Sequence, residues 1–225
     1  VNKANACSTY TAEFYNMQAM LSGRIGYTGM NRRGYMRNGM APNNSQGKSG
    51  TANFLDGGVK GSLNVDMGRG HAFSIGAGYE LRAPMANTAF ISPEISNDFV
   101  TNLKNERIFS SEFSYLYHNA WLSANVSGYY SRLENVTEWQ NFYNDDENSF
   151  TYVSMTGLKK EYYGVEVGAK IKLTSWLDLK TLGAMSEAKN INNVNAVYML
   201  SKSAEVYQDK AYVMDMRESG TPLTV

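Results

Sequence analysis

From Phe73 to Arg82 every second residue is apolar. Phe73, Ile75, Ala77, Tyr79 and Leu81 point one way, and Ser74, Gly76, Gly78, Glu80 and Arg82 point the other. A period of two is the signature of a β-strand with one greasy and one wet face. The pattern returns at 59–67, where Val59, Leu63, Val65 and Met67 alternate with Lys60, Ser62, Asn64 and Asp66. It returns again at 162–173, where Tyr163, Val165, Val167, Ala169, Ile171 and Leu173 alternate with Gly164, Glu166, Gly168, Lys170 and Lys172. Charges and glycines fill the wet faces. Strands of this kind predict an all-β, antiparallel transmembrane barrel, with lipid against the apolar face and a polar lumen.

Composition narrows the alternatives. No stretch approaches the roughly 20 apolar residues that a spanning helix needs, whereas a barrel hides from such a scan because half of each strand is polar. Sixteen tyrosines, 20 glycines and only 4 prolines suit a tyrosine-rich sheet. The formal net charge of zero gives no electrostatic argument for nucleic acid. With Cys7 as the only cysteine, the chain has neither a disulfide framework nor a thiolate metal site. Ala4-Asn5-Ala6-Cys7 has the look of a lipoprotein cleavage site, but the six residues before the cysteine contain no apolar stretch. The chain begins at Val1 and ends inside what reads as a new strand at 211–225, so we expect a piece of a longer protein.

Seven strands are expected, at about 17–30, 53–67, 72–83, 105–117, 120–133, a long region ending at Leu173, and 176–188. Short turns fall at 68–71, 118–119 and 174–175. Long connections fall at 31–52, 84–104, 134–150 and 189–210. In an antiparallel meander this alternation puts all short turns at one end and all long loops at the other, as in outer-membrane barrels. Tyr115, Tyr117, Trp121 and Trp176 sit beside the short turns. Tyr35, Phe54, Tyr129, Tyr130, Phe150 and Tyr152 are expected to form a second aromatic belt near the other end.

Few residues suggest chemistry. Gln46-Gly47-Lys48-Ser49 ends like a phosphate-binding loop, but Pro42 stands where the first glycine is required. Asp145, Asp146 and Glu147 crowd the third long loop without the alternating spacing of a calcium loop, which reads as a solvated acidic tip. Arg32, Arg33 and Arg37 form a basic cluster in the first long loop, suited to phosphates of lipopolysaccharide or an anionic ligand. These six residues are the candidate ligand contacts. His71 and His118 both fall in short turns, away from any nucleophile and orienting acid, so neither catalysis nor a resident cofactor or metal is expected. Glu80/Arg82 and Glu166/Lys170 read as lumen charges that pair or stay hydrated. Asn135-Val136-Thr137 matches a glycosylation acceptor.

The spellings around the strands also resemble a known family. Gly78-Tyr79-Glu80-Leu81-Arg82-Ala83-Pro84 followed by Asn87-Thr88-Ala89-Phe90 is similar to a strand and loop opening of TonB-dependent outer-membrane receptors. Asn105 to Phe113, Tyr129-Tyr130, Gly164 to Lys170 and Leu173-Thr174-Ser175-Trp176-Leu177 continue the likeness in order. Arg32-Arg33-Gly34-Tyr35-Met36-Arg37-Asn38-Gly39 resembles the subgroup with a carboxypeptidase-regulatory-like domain. The resemblance covers roughly 18–190. It implies a barrel of about 22 strands, of which residues 1–225 supply about seven or eight, with the plug domain lying outside this chain.

Three architectures with three functions follow as expectations. The first is a barrel segment of a TonB-dependent receptor in the Gram-negative outer membrane. It would import a bulky nutrient of siderophore, glycan, peptide or cobalamin type, touch lipid and lipopolysaccharide, and meet TonB through the plug. The second is a closed eight-stranded barrel serving as adhesin or structural protein. The third is a secreted soluble β-sandwich that binds glycans.

Overall fold

The computed structural model describes residues 1–35, 45–94, 96–200, 206–214 and 223–224, with only the backbone of 206, 207, 210, 223 and 224. Among them every regular element is a strand: β1 (Asn2–Phe14), β2 (Met17–Met30), β3 (Arg33–Gly34), β4 (Gly47–Lys48), β5 (Ala52–Gly68), β6 (His71–Arg82), β7 (Glu106–His118), β8 (Leu122–Asn144), β9 (Ser149–Lys172), β10 (Asp178–Asn190), β11 (Val194–Leu200), β12 (Val206–Ala211) and β13 (Leu223–Thr224). The main sheet runs β1-β2-β5-β6-β7-β8-β9-β10-β13, antiparallel between each pair of neighbours, with β11 on β9 and β12 on β11. It is an up-and-down sheet, and it is open: among the described residues β1 pairs with β2 alone.

Register decides which side chains share a face, because residues directly opposite in an antiparallel pair lie on the same side. One row reads Ser8, Gly23, Val59, Tyr79, Phe109, Arg132 and Glu161 across seven strands. Another links Val126, Val167 and Gly183. The face built from these rows carries Leu21, Ile25, Leu55, Val59, Ile75, Phe113, Val165, Val167 and Met185, all exposed. The other face carries Arg24, Asp56, Glu80, Glu106, Glu112 and Glu166. The strands read from alternation therefore appear with the faces expected.

Four expectations change. A strand, β1, precedes the first one read from sequence, joined to β2 by the two-residue turn Tyr15-Asn16, with Tyr15 at φ 41°. The stretch 134–150 is not a loop. β8 and β9 extend through it as one hairpin that turns only at 145–148. Likewise 189–210 contains β11 and most of β12, so that β11 continues β10 along the same edge of β9. Asn192 mends the break between those two strands: its side chain accepts from Lys159 N at 2.7 Å and donates to Gly157 O at 3.0 Å. Finally, the second aromatic belt keeps Tyr130 of the residues expected in it and otherwise draws on different ones. Phe54 and Tyr129 point to the polar face, Tyr152 is buried and Phe150 is at a hairpin tip; the apolar face ends instead at Tyr27, Tyr79, Tyr130 and Tyr163. Strand parity decides the facing of Phe54 and Tyr129, and the bulges at Leu133/Val136 and Val136/Thr137 shift that parity for Phe150 and Tyr152; closeness to a loop decides neither.

The buried apolar side chains gather at the long-loop end. Met30, Ala89 and Phe90 form one cluster, Ile91, Val100, Val197 and Met199 a second, and Val136, Met155, Leu158 and Ala196 a third. Among the described residues no second layer packs on the apolar face of the sheet, whose side chains are exposed.

Candidate functional site

The polar face and the structure capping its long-loop end form the candidate site. On that face Arg24 donates to Asp56 Oδ1 at 2.9 Å and to Glu80 Oε1 at 2.7 Å, while Thr28 donates to Asp56 Oδ2 at 2.8 Å. Both oxygens of the buried Asp56 carboxylate are thereby satisfied, as a buried charge requires. A Cβ on Gly26 would meet Asp56 Oδ1 at 2.5 Å, so a glycine is what leaves that carboxylate room. Arg82 holds the buried Glu106 at 2.7 Å, and Lys160 holds Glu138 at 2.6 Å. The lumen charges singled out in the sequence thus find partners on other strands: Glu80 takes Arg24, Arg82 takes Glu106, and Lys170 takes Asp178 at 2.9 Å. Glu166 remains exposed.

The connection from Ala83 to Asn105 folds over this end from the polar side. Phe90 and Phe99 stack at 4.5 Å and pack on Met30, Ala52 and Phe54, while Ile91 and Val100 pack on Val197 and Met199. One loop therefore reaches from β2 and β5 to β11. Ser154 Oγ of β9 donates to Ile91 O at 2.9 Å, and Tyr152 donates to Glu94 at 3.0 Å.

Arg32 pins this loop. Its Nε donates to Pro93 O at 2.9 Å, Nη1 to Ser45 O at 2.9 Å and to Asn97 Oδ1, and Nη2 to Glu94 O at 2.9 Å. Burial lowers the Arg32 pKa from its ordinary value, yet a guanidinium so placed keeps its proton. Its donors are directed at the loop. Arg33 is exposed and stands opposite Lys48 in the β3–β4 pair, two cations on one small ribbon. Arg37 lies outside the described residues. Arg32 and Arg33 belong to the connection after β2 and the acidic trio to the β8–β9 turn. Asp145, Asp146 and Glu147 are exposed at the β8–β9 turn, where Asn144 Oδ1 accepts from the Asp146 and Glu147 amides at 3.1 and 3.4 Å. Among the described residues no group of three His, Cys, Asp or Glu is arranged to hold a metal ion.

The remaining sequence features have local uses. Gly47 and Lys48 of the phosphate-loop look-alike are strand β4. Asn135 of the glycosylation motif has φ 58° at the β8 bulge and donates to Asn105 O, while Thr137 is buried. His71 Nδ1 meets Tyr115 Oη at 2.6 Å, and its ring lies 4.7 Å from that of Tyr117, an aromatic cluster beside the short turns. Sequence reading missed the pairing of Tyr129 with Gly164. A Cβ there would stand 2.8 Å from the Tyr129 ring, so the ring lies over the glycine on the polar face. The facing of an aromatic and a glycine in neighbouring strands would have been the signal, but it requires the register.

No family model matches the chain, and no curated protein matches it in sequence. Among solved structures it is similar to "Copper transporter OprC", with a TM-score of 0.70 and 18% identity over 88% of this chain. The chain spans 33% of that protein's length. The likeness is one of fold: an all-β, antiparallel and unclosed sheet that matches about a third of a transporter chain.

Proposed function

We propose that this chain is a stretch of the barrel wall of a TonB-dependent outer-membrane receptor that imports a bulky nutrient. The observation that carries the reading is the exposed apolar face, continuous from β2 to β10, with Ile25, Val59, Val165 and Val167 between 47% and 59% exposed. In water, such a surface far exceeds the few hundred Å² that soluble monomers leave bare. In lipid it is the expected exterior, and the ion-paired face becomes the lumen. The soluble sandwich fits poorly, since it would need a second layer on that face. The small closed barrel also fits poorly, because the described strands show no pairing between β1 and β12 or β13.

In this reading the short turns are periplasmic and the 83–105 loop lies over the external mouth. TonB acts through a plug outside the chain, and lipopolysaccharide surrounds the outer rim. No catalytic step belongs to it. The neighbour's copper is not carried over, because at 18% identity only the fold is shared. The test is cysteine labelling of the parent protein on intact cells, after Cys7→Ser removes the exposed native thiol. Cysteines at Thr101 and Asp146 should react with an impermeant maleimide, and those at Ala120 and Ser175 only after the outer membrane is breached. Labelling of all four on intact cells overturns the orientation; labelling of none overturns the external loops.

A further inference from the structure

The β8–β9 hairpin carries large apolar side chains far beyond the end of the apolar face. Its last pair, Asn144 opposite Ser149, lies about a dozen residues beyond the Arg132–Glu161 pair at the end of the apolar face. At about 3.3 Å per residue this is roughly 40 Å of strand. Yet Phe142 is 52% exposed, and Tyr143 and Phe150 are each 48% exposed.

Register orders these rings. Tyr143 stands opposite Phe150, Asn141 opposite Tyr152 and Trp139 opposite Ser154, so Trp139, Tyr152, Tyr143 and Phe150 share one face of the hairpin, while Phe142 is on the other. Ring centroids are 6.2 Å apart for Trp139 and Tyr152, and 5.3 Å apart in an edge-on arrangement for Tyr143 and Phe150. Tyr152 is buried, with its hydroxyl on Glu94 of the 83–105 loop. The aromatic column therefore starts beneath the loop and emerges at the tip, on the side facing the loop. Tyr143 is held by its hydroxyl on Asn148, so its ring is presented in a fixed pose.

The polar chemistry around the column is one-sided. Residues 139–154 contain no Lys, Arg or His; they offer the amides of Gln140, Asn141, Asn144 and Asn148 and the carboxylates of Asp145, Asp146 and Glu147. Carboxylates repel anionic ligands, and both groups accept hydrogen bonds from hydroxyls. Rigid exposed rings offer flat apolar area at low entropic cost.

We propose that the loop-facing side of this hairpin tip, centred on Tyr143 and Phe150, binds a neutral oligosaccharide. The C–H faces of pyranose rings stack on the two aromatics, and sugar hydroxyls donate to Asn141 and to the carboxylates of the turn. This deepens the transporter reading and rests on it, since the site then guards the external mouth and names the ligand class.

The experiment uses the full parent protein in detergent, titrated with maltohexaose, cellohexaose, mannohexaose and N-acetylchitohexaose by calorimetry. Hexalysine and a hexameric oligogalacturonate serve as charged comparisons. Binding of at least one neutral hexaose is expected. Tyr143→Ala with Phe150→Ala should weaken it about ten-fold or more, equivalent to about 1.4 kcal/mol. Phe142→Ala, on the opposite face, should leave it within about two-fold. Both sites are exposed, so neither variant empties a core. Binding of hexalysine or oligogalacturonate alone, no binding of any neutral hexaose, or indifference to the double variant overturns the proposal. If the labelling pattern holds while sugar binding fails, only the ligand class falls; if the labelling pattern fails, the transporter reading falls as well.

Discussion

Arg24 and Glu80 form an ion pair of 2.7 Å although a whole strand lies between them. Register explains it: Arg24 on β2 faces Gly58 on β5, and Gly58 faces Glu80 on β6. With no side chain on Gly58, the guanidinium lies across the middle strand and reaches both Glu80 and Asp56. A Cβ at Gly58 would come within 3.1 Å of Glu80 Cα and Cβ and 2.8 Å of Tyr79 O. Gly58→Val should therefore destabilise the parent barrel by about 1–3 kcal/mol, through crowding and the displaced pair. Equilibrium urea unfolding in liposomes measures it, and a shift below about 0.5 kcal/mol would disprove the bridging geometry.

Within the same cluster the two ends differ. Arg24→Met removes a partner from Asp56, which is buried, whereas Glu80→Gln keeps a hydrogen-bond acceptor at a partly exposed place. Arg24→Met should cost about 1–3 kcal/mol, and Glu80→Gln less than about 1 kcal/mol. Equal losses in the same unfolding assay would contradict the burial of Asp56.

Two glycines offer a matched pair. Gly164 lies under the Tyr129 ring and close to Met185 O, while a Cβ at Gly183 meets nothing within 4 Å. Gly164→Ala should lower stability by about 1–3 kcal/mol. Gly183→Ala should be neutral or stabilising by up to about 1 kcal/mol, because alanine orders more cheaply than glycine in a strand. A reversed ranking of unfolding midpoints would remove Tyr129 from Gly164.

The apolar face is tested at Val165 and Val167. Val167→Arg should cost about 2–4 kcal/mol if it meets the bilayer midplane. Val165→Leu with Val167→Leu should be tolerated, since lipid yields to added methylenes; a packed core would lose about 1–3 kcal/mol per site. A large loss from the double leucine variant would mean that protein covers the face.

Arg32→Met should loosen the 83–105 loop, as it deletes the hydrogen bonds to Pro93, Glu94, Ser45 and Asn97. Hydrogen exchange should rise at Ile91 and Val100, whose amides bond Asp98 O and Ala89 O at 3.1 and 3.0 Å, while β6 and β7 stay protected. Unchanged exchange in the loop would show that the aromatic stack alone holds it.

The sequence by itself determined the faces. Side-chain period is a local property of an extended chain, so Phe73 to Arg82 and Tyr163 to Leu173 disclose their apolar side without any partner. β1 alternates as well, but its apolar set is Ala4, Ala6, Tyr10, Ala12 and Phe14, and alanine gives too weak a strand signal to be read alone. The far half of the β8–β9 hairpin was illegible because bulges at Leu133–Thr137 shift the parity, and because both its sides mix apolar and polar residues. Of the six candidate contacts, the acidic trio lies at a tip as an acidic run suggests, while Arg32 has its donors directed at carbonyls and an amide of the chain. Which donors meet which acceptors was decided only by the tertiary structure. Arg32 to Pro93, Arg24 to Glu80 and Tyr152 to Glu94 join residues some 56 to 61 positions apart. Such contacts depend on register, bulge and loop closure, none of which a local pattern encodes.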